Sequence, residues 1–362
     1  MFLTVNIGSS SLRLGWHDGE AGSATTAPFD GKGGATVLSR HIGQFIEAQG
    51  NATPTAVCHR IVHAGAAYGE SCFIDDKVVA AIKANSPLAP LHNPLALELI
   101  EACRALFGAA VPQVAVFDSA FSHNMPDYAA LYAIPARLGI RRLGFHGIAH
   151  HLMWQAAVKR NPQARRVISL QLGSGASACA VRDGRAVDTS MGFTPLEGLM
   201  MNSRCGDIDP GVLLYLQQEK GLSVSEIEDL LNRRSGLHGV SGGNTSLKDL
   251  LLLDDDQSKL AVDMYCYRIR KYVGAYVAAL GGLDAIVIGG GIGEHLPEIR
   301  RRCFDGLAFL GVEMDDCRNA SCDGSGGVIS APQSNVTVEV VVLDENRFMA
   351  DEAARLFAQP AR

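Results

Sequence analysis

The chain has 362 residues, 47% of them hydrophobic, and a formal net charge of −6. That length calls for about two cores of 150–200 residues each, and the acidic balance argues against a general nucleic-acid binder, which carries a basic stripe. No run approaches the ~20 apolar residues that span a bilayer, residues 1–6 lack a secretory leader, and nine irregularly spaced cysteines make no disulfide framework, so a cytoplasmic protein with reduced thiols is expected.

Strand-like runs lie at 3–7, 12–16, 56–62, 113–117, 167–172, 178–182, 285–288 and 337–343. Each is rich in Val, Ile or Leu and bounded by Gly, Asp or Ser. Helices alternate with them. Asn93-Pro94 predicts an N-cap followed by Pro at the first helical position, with Gly108 as the stop. Asp209-Pro210 predicts a second such start, running to Gly221. Ser223 and Glu226 have capping-box spacing ahead of a helix that should end near Gly236. Residues 257–280 read as one long helix, with Leu260, Met264, Ile269, Val273 and Val277 on its buried side. The class is α/β.

Residues 6–11, Asn-Ile-Gly-Ser-Ser-Ser, recur in outline at 171–176 as Gln-Leu-Gly-Ser-Gly-Ala. Ten residues after each first glycine stands an Asp-Gly turn, Asp18-Gly19 and Asp183-Gly184. Both segments read as strand, Gly/Ser turn, strand, turn, which suggests a duplicated domain. Such turns direct backbone N–H groups and hydroxyls into one concavity that suits phosphate oxygens; Gly173, Ser174 and Gly175 are the candidates in the second.

At 287–294 an apolar strand runs into Gly289-Gly290-Gly291-Ile292-Gly293-Glu294. Glycines let a ligand approach the backbone, and a helix start favours anions. The Walker ending is absent, and the dinucleotide G-x-G-x-x-G pattern fits poorly. Arg60 lies in an apolar strand and Arg204 in a polar loop; a guanidinium fork binds carboxylate or phosphate through two bonds, although each Arg alone also reads as a structural ion pair. His92 and His146 each precede a helix, and each alone also reads as a hydrogen-bonded structural residue. Asp118 and Glu345 at strand ends are candidate Mg²⁺ residues. No H-E-x-x-H pattern and no second cysteine pair supports zinc.

Taken together these segments resemble the acetate kinase family. The most specific match is residues 188–201, Asp-Thr-Ser-Met-Gly-Phe-Thr-Pro-Leu-Glu-Gly-Leu-Met-Met, continuing through Arg204-Cys205-Gly206-Asp207-Ile208-Asp209-Pro210. Residues 6–11, 59–63, 88–94, 117–121, 145–147 and 290–294 add to it. The resemblance implies two duplicated domains of the actin, Hsp70 and sugar-kinase (ribonuclease H-like) superfamily with a cleft between them. The boundaries expected are 1–118 plus 346–362 for the acid-binding domain and 119–345 for the nucleotide-binding and dimerisation domain. It also implies a homodimer that uses ATP with Mg²⁺ or Mn²⁺ to phosphorylate acetate, with no nucleic-acid or membrane partner.

Carried over by position, Arg60 and Arg204 hold the acid and the transferring phosphoryl group. His146 stabilises that group, and His92 contacts it. Asn6, Asp118 and Glu345 form the metal and positioning set. Val62, Leu91, Phe145 and Pro195 line the pocket for the acid's methyl group, while Gly290, Gly291, Ile292 and Gly293 lie on the adenosine side. Gln171 and Ser174 stand where the family usually has His and Asn, which keeps pyrophosphate as an alternative donor. Propionate or butyrate is the alternative acid. A nucleotide clamp without transferase activity is the non-enzymatic alternative.

Overall fold

The computed structural model describes residues 1–8, 11–19, 21–28, 34–90 and 92–359. The chain divides into two compact units, Met1–His123 with Asp344–Arg362, and Asn124–Leu343.

The first unit is built on six strands: β1 (Phe2–Ile7), β2 (Ser11–Asp18), β3 (Ala21–Pro28), β4 (Ala56–Ile61), β5 (Cys72–Phe73) and β6 (Gln113–Phe117). Their order is β3-β2-β1-β4-β6-β5. The first three are antiparallel, β1-β4 and β4-β6 are parallel, and β5 is antiparallel to β6. Side chains alternate faces along a strand. Leu3, Val5 and Ile7 therefore share a core with Leu12, Leu14 and Trp16, and with Leu38, Ile42 and Phe45 of helix Gly34–Ala48. The opposite parity, Thr4 and Asn6, serves the face on which helix Glu345–Ala358 packs. That alternation aims Asn6 at the start of the last helix. Strand β3 escaped the sequence reading because Ala-Gly-Ser-Ala-Thr-Thr is small and polar; it pairs with β2 as an edge strand.

The second unit has β7 (Arg166–Leu172), β8 (Ala176–Arg182), β9 (Arg185–Thr189), β10 (Ala285–Gly289), β11 (Gly327–Val328) and β12 (Thr337–Val340). The order is β11-β12-β10-β7-β8-β9. Read from β9, it repeats the first sheet: two antiparallel steps, two parallel steps and a two-residue antiparallel edge. The echo between residues 6–11 and 171–176 is thus the visible part of a duplicated, actin-like topology. Asp183 (φ 50°) and Gly184 (φ 81°) both take positive φ between β8 and β9, the geometry of a type I′ hairpin turn.

Several local readings need correction. The N-cap before Pro94 is His92, and Asn93 instead turns inward, donating to the carbonyls of His63 at 2.8 Å and Ile82 at 3.3 Å. Strand β12 stops at Val340, three residues earlier than its apolar run, because the exposed Val342 leads into Asp344, which caps the next helix. In helix Asp256–Leu280, Leu260 is 53% exposed, whereas Val262, Tyr265, Ile269, Val273, Tyr276 and Leu280 are buried. Ile269 and Val273 lie in the stripe as expected, and Tyr265 and Tyr276 fill the places before and after them. Asp209 and the Ser223/Glu226 capping box cap their helices as expected, although these end at Gln218 and Arg233.

Candidate active site

In the first unit, parallel pairing of β1 with β4 puts Asn6 and Arg60 on one face, and Asp118, directly after the end of β6 at Phe117, stands beside them. Arg60 donates from Nη2 to Asp118 Oδ2 at 2.5 Å and from Nη1 to Asn6 Oδ1 at 3.3 Å; Asn6 Nδ2 donates to Glu345 Oε2 at 2.8 Å. Burial disfavours the guanidinium charge, but Asp118 and Glu345 outweigh it and raise the Arg60 pKa. Arg60 Nε has no hydrogen-bond partner among the described residues. The ion-pair reading of Arg60 is correct as far as it goes, and a donor remains beside the pair.

Two carboxylates and an amide in one chain of hydrogen bonds suit Mg²⁺, which keeps several waters and takes one or two carboxylates. Among the described residues, no group of three His, Cys, Asp or Glu side chains forms a closed metal cage. Val62 is buried at the end of β4, and His92 is buried at its helix start. Leu91 lies outside the described residues.

In the second unit three features meet at one glycine. A Cβ at Gly175, in the β7–β8 turn, would stand 2.7 Å from Arg204 Nη2 and 3.4 Å from His146 Nε2. Only a residue without a side chain lets the turn, the guanidinium and the imidazole lie this close. Gly173 donates to the Gly175 carbonyl at 3.0 Å, closing the turn, and Ser174 is exposed at its tip. His146 caps helix Gly147–Arg160 in the left-handed region, φ 58°, and its Nδ1 lies 2.8 Å from Ser177 Oγ. Phe145 is buried beside it, and Pro195 is half-buried.

Arg204 donates from Nη1 to the Pro195 carbonyl at 2.6 Å. The loop carrying both is pinned from behind. Gly198 N donates to Asp207 Oδ1 at 2.9 Å, and Tyr272 donates to Asp207 Oδ2 at 2.8 Å. Gly206 (φ 68°) has no room for a Cβ, which would lie 2.5 Å from the Gly198 carbonyl. Arg142 Nη2 donates to Glu197 Oε1 at 2.6 Å, and Tyr132 donates to the other oxygen while accepting from Phe193 N at 2.9 Å. Burial, then the bond to Glu197, raises the Tyr132 pKa and keeps the phenol protonated. Glu197 and Asp207 lay inside the quoted motif without a role, while Tyr132, Arg142, Ser177 and Ser169 were not singled out. No spacing rule links Tyr132 with a carboxylate 65 positions away.

At the glycine-rich turn, Gly290 (φ 83°) precedes the short helix Gly291–His295, with Gly291 exposed and Ile292 half-buried. Gly293 points elsewhere: it is buried, and a Cβ there would lie 2.6 Å from Ile288 Cγ2. The buried Arg300 holds this turn through the carbonyls of Gly293 (2.7 Å) and Glu294 (3.1 Å).

The acetokinase family model matches residues 1–351 of the chain. Among curated proteins, the acetate kinase of Solibacter usitatus is 45% identical over 311 residues, 83% of this chain and 75% of that protein. That of Rhodopseudomonas palustris is 46% identical over 308 residues, 83% and 77%. Among solved structures, the Porphyromonas gingivalis acetate kinase is 34% identical with a TM-score of 0.86 over 98% of this chain and 99% of that one. A propionate kinase from Francisella tularensis is also 34% identical, with a TM-score of 0.88 over 97% and 98%. With the strand order repeated in both sheets and the arginine, imidazole and glycine turn gathered in the second, the chain belongs to the acetokinase family.

Proposed function

We propose that this protein is an acetate kinase, transferring the γ-phosphoryl group of ATP to acetate in a direct, reversible step. The observation that carries the reading is the meeting of Arg204, His146 and the Gly173–Gly175 turn at one point. A carboxylate is already ionised at neutral pH and needs no general base. One of its oxygens forms the new bond to phosphorus as the bond from phosphorus to the bridging oxygen breaks, and ADP leaves with that electron pair. Catalysis then reduces to alignment and charge neutralisation.

Arg60 and Arg204 supply guanidinium groups for the acid and the phosphoryl oxygens, and His146 and His92 supply imidazole contacts. Val62, Phe145 and Pro195, with Leu91, supply the apolar surface for the methyl group. Gly173, Ser174 and Gly175 hold donor phosphates, and Gly290, Gly291 and Ile292 take the adenosine side; Gly293 supports that turn from within. Asn6, Asp118 and Glu345 would hold Mg²⁺ or Mn²⁺, which neutralises phosphate charge when bound. The free thiols of all nine cysteines support a cytoplasmic setting. Exposed Leu214 and Tyr215 on helix Pro210–Gln218 support homodimerisation.

Propionate is the second reading, favoured by the equal identity to a propionate kinase. One methylene discriminates by only about 1–3 kcal/mol, so propionate is expected as a poorer substrate. The test mixes protein, Mg²⁺, ATP, hydroxylamine and either acid, and measures the hydroxamate. Acetohydroxamate in excess of the propionyl product supports the assignment. Nucleotide binding without either product would leave a clamp, and turnover with pyrophosphate but not ATP would replace the donor.

A further inference from the structure

Behind His146 runs a chain of three side chains that the transfer itself does not use. Ser177 Oγ lies 2.8 Å from His146 Nδ1 and 2.8 Å from His150 Nε2, and His150 Nδ1 lies 2.8 Å from Ser169 Oγ. Ser169, Ser177 and His150 are all fully buried. The fold explains the alignment: Ser169 is on β7, on which helix Gly147–Arg160 packs, Ser177 is on the neighbouring β8, and the helix carries His150 one turn after its capping residue.

We propose that Ser169, His150 and Ser177 are positioning residues that hold His146 as a neutral imidazole with its proton on Nε2. The direction follows from counting hydrogens. A serine hydroxyl has one to give, and a neutral imidazole has one N–H and one bare nitrogen. Among the described residues the only partner of the Ser169 hydroxyl is His150 Nδ1, so Ser169 donates there. His150 then carries its proton on Nε2 and donates to Ser177. Ser177, already accepting, gives its own hydrogen to His146 Nδ1. That nitrogen is therefore an acceptor, and the His146 proton resides on Nε2, the atom beside Gly175 and Arg204.

Running the chain backwards would leave the Ser169 hydrogen buried with no acceptor, a costly defect. Burial pushes the His150 pKa well below its ordinary value, which keeps His150 neutral. The Arg204 guanidinium beside the same glycine disfavours a second positive charge on His146. The result is a hydrogen-bond donor at Nε2, on the side of Gly175 and Arg204, which a developing phosphoryl charge needs. A freely exchanging imidazole would present a bare nitrogen there part of the time.

This inference rests on the proposed role of His146 toward the phosphoryl group, and the experiment separates the two. In ¹⁵N-histidine-labelled wild-type protein without ligand at pH 7, long-range ¹H–¹⁵N spectra should find His146 protonated on Nε2 with a bare Nδ1. Protonation on Nδ1, or on both nitrogens, overturns the relay. Ser177→Ala should lower kcat roughly tenfold or more, leave KM for both substrates within about twofold, and mix the His146 tautomers. Ser177→Thr, which keeps the hydroxyl, should restore both readouts. Wild-type kcat and an unmixed tautomer in Ser177→Ala would also overturn the relay. If His146→Ala itself turns over normally, the fault lies with the role given to His146 and not with the relay.

Discussion

Arg204 and Pro195 are tied together: one terminal nitrogen of the guanidinium donates to the proline carbonyl at 2.6 Å, and the other lies against Gly175. The bond fixes the plane of the fork and leaves its second arm facing the turn. Arg204→Ala should lower kcat by about 10²–10³-fold, as removal of a transition-state donor does, with an unchanged far-UV circular dichroism spectrum. Arg204→Lys should recover little of it, since an ammonium cannot hold the carbonyl and present a second planar donor together. Near-normal turnover of either variant would remove Arg204 from the mechanism.

Gly175→Ala tests the same geometry from the opposite side. The new methyl group would meet Arg204 Nη2 at 2.7 Å. The end of a long side chain can move aside, so stability should change by less than about 1 kcal/mol. The displaced fork should nevertheless lower kcat at least ~10-fold. Denaturation midpoint and initial rates, measured on the same preparation, check both halves.

Glu197 takes hydrogen bonds from both Arg142 and Tyr132. Glu197→Ala would leave a largely buried guanidinium without its carboxylate and free the loop that ends at Arg204. A loss of about 2 kcal/mol in urea denaturation is expected, with faster tryptic cleavage near Arg204. Equal stability would mean that Asp207 and Tyr272 hold the loop unaided.

Burial lowers the His59 pKa to about 4 from 6.5, against its hydrogen bond to Gln113. Between these values the unfolded chain binds the extra proton and the folded chain does not, so stability falls as pH falls below about 6.5. At roughly 1.4 kcal/mol per pH unit, this one group should remove about 2 kcal/mol between pH 6.5 and 5. In a Trp154→Phe background, the fluorescence of Trp16 follows the first unit. There, His59→Gln should flatten the pH dependence by about that amount, and an unaltered slope would assign the titration elsewhere.

The sequence revealed the fold best where a turn demands particular residues. Gly8 and Gly173, each ten positions before an Asp-Gly pair, marked two hairpins, and the sheets around them share one strand order. Edge strand β3 was missed because solvent, not packing, selected its small polar residues. The buried stripe of helix Asp256–Leu280 was read correctly at Ile269 and Val273, but Tyr265, Cys266 and Tyr276, which carry polar atoms into it, were missed. Arg60, Arg204 and His146 were singled out as residue types in a recognisable pattern. Their supports were not, since an isolated Ser169 or Glu197 acquires meaning only from a partner brought to it by the fold.

The bond from Asn6 to Glu345 links positions 339 apart. During synthesis the strands of the first sheet leave the ribosome well before helix Glu345–Ala358, which covers their Asn6 face. The second unit, continuous in the chain, has all its strands by residue 340 and can fold while the first still lacks Glu345–Ala358. Domains otherwise tend to fold in order from the N-terminus. Here the continuous middle unit can be completed before the unit that flanks it, and the carboxylate cluster around Arg60 cannot close until Glu345 has emerged.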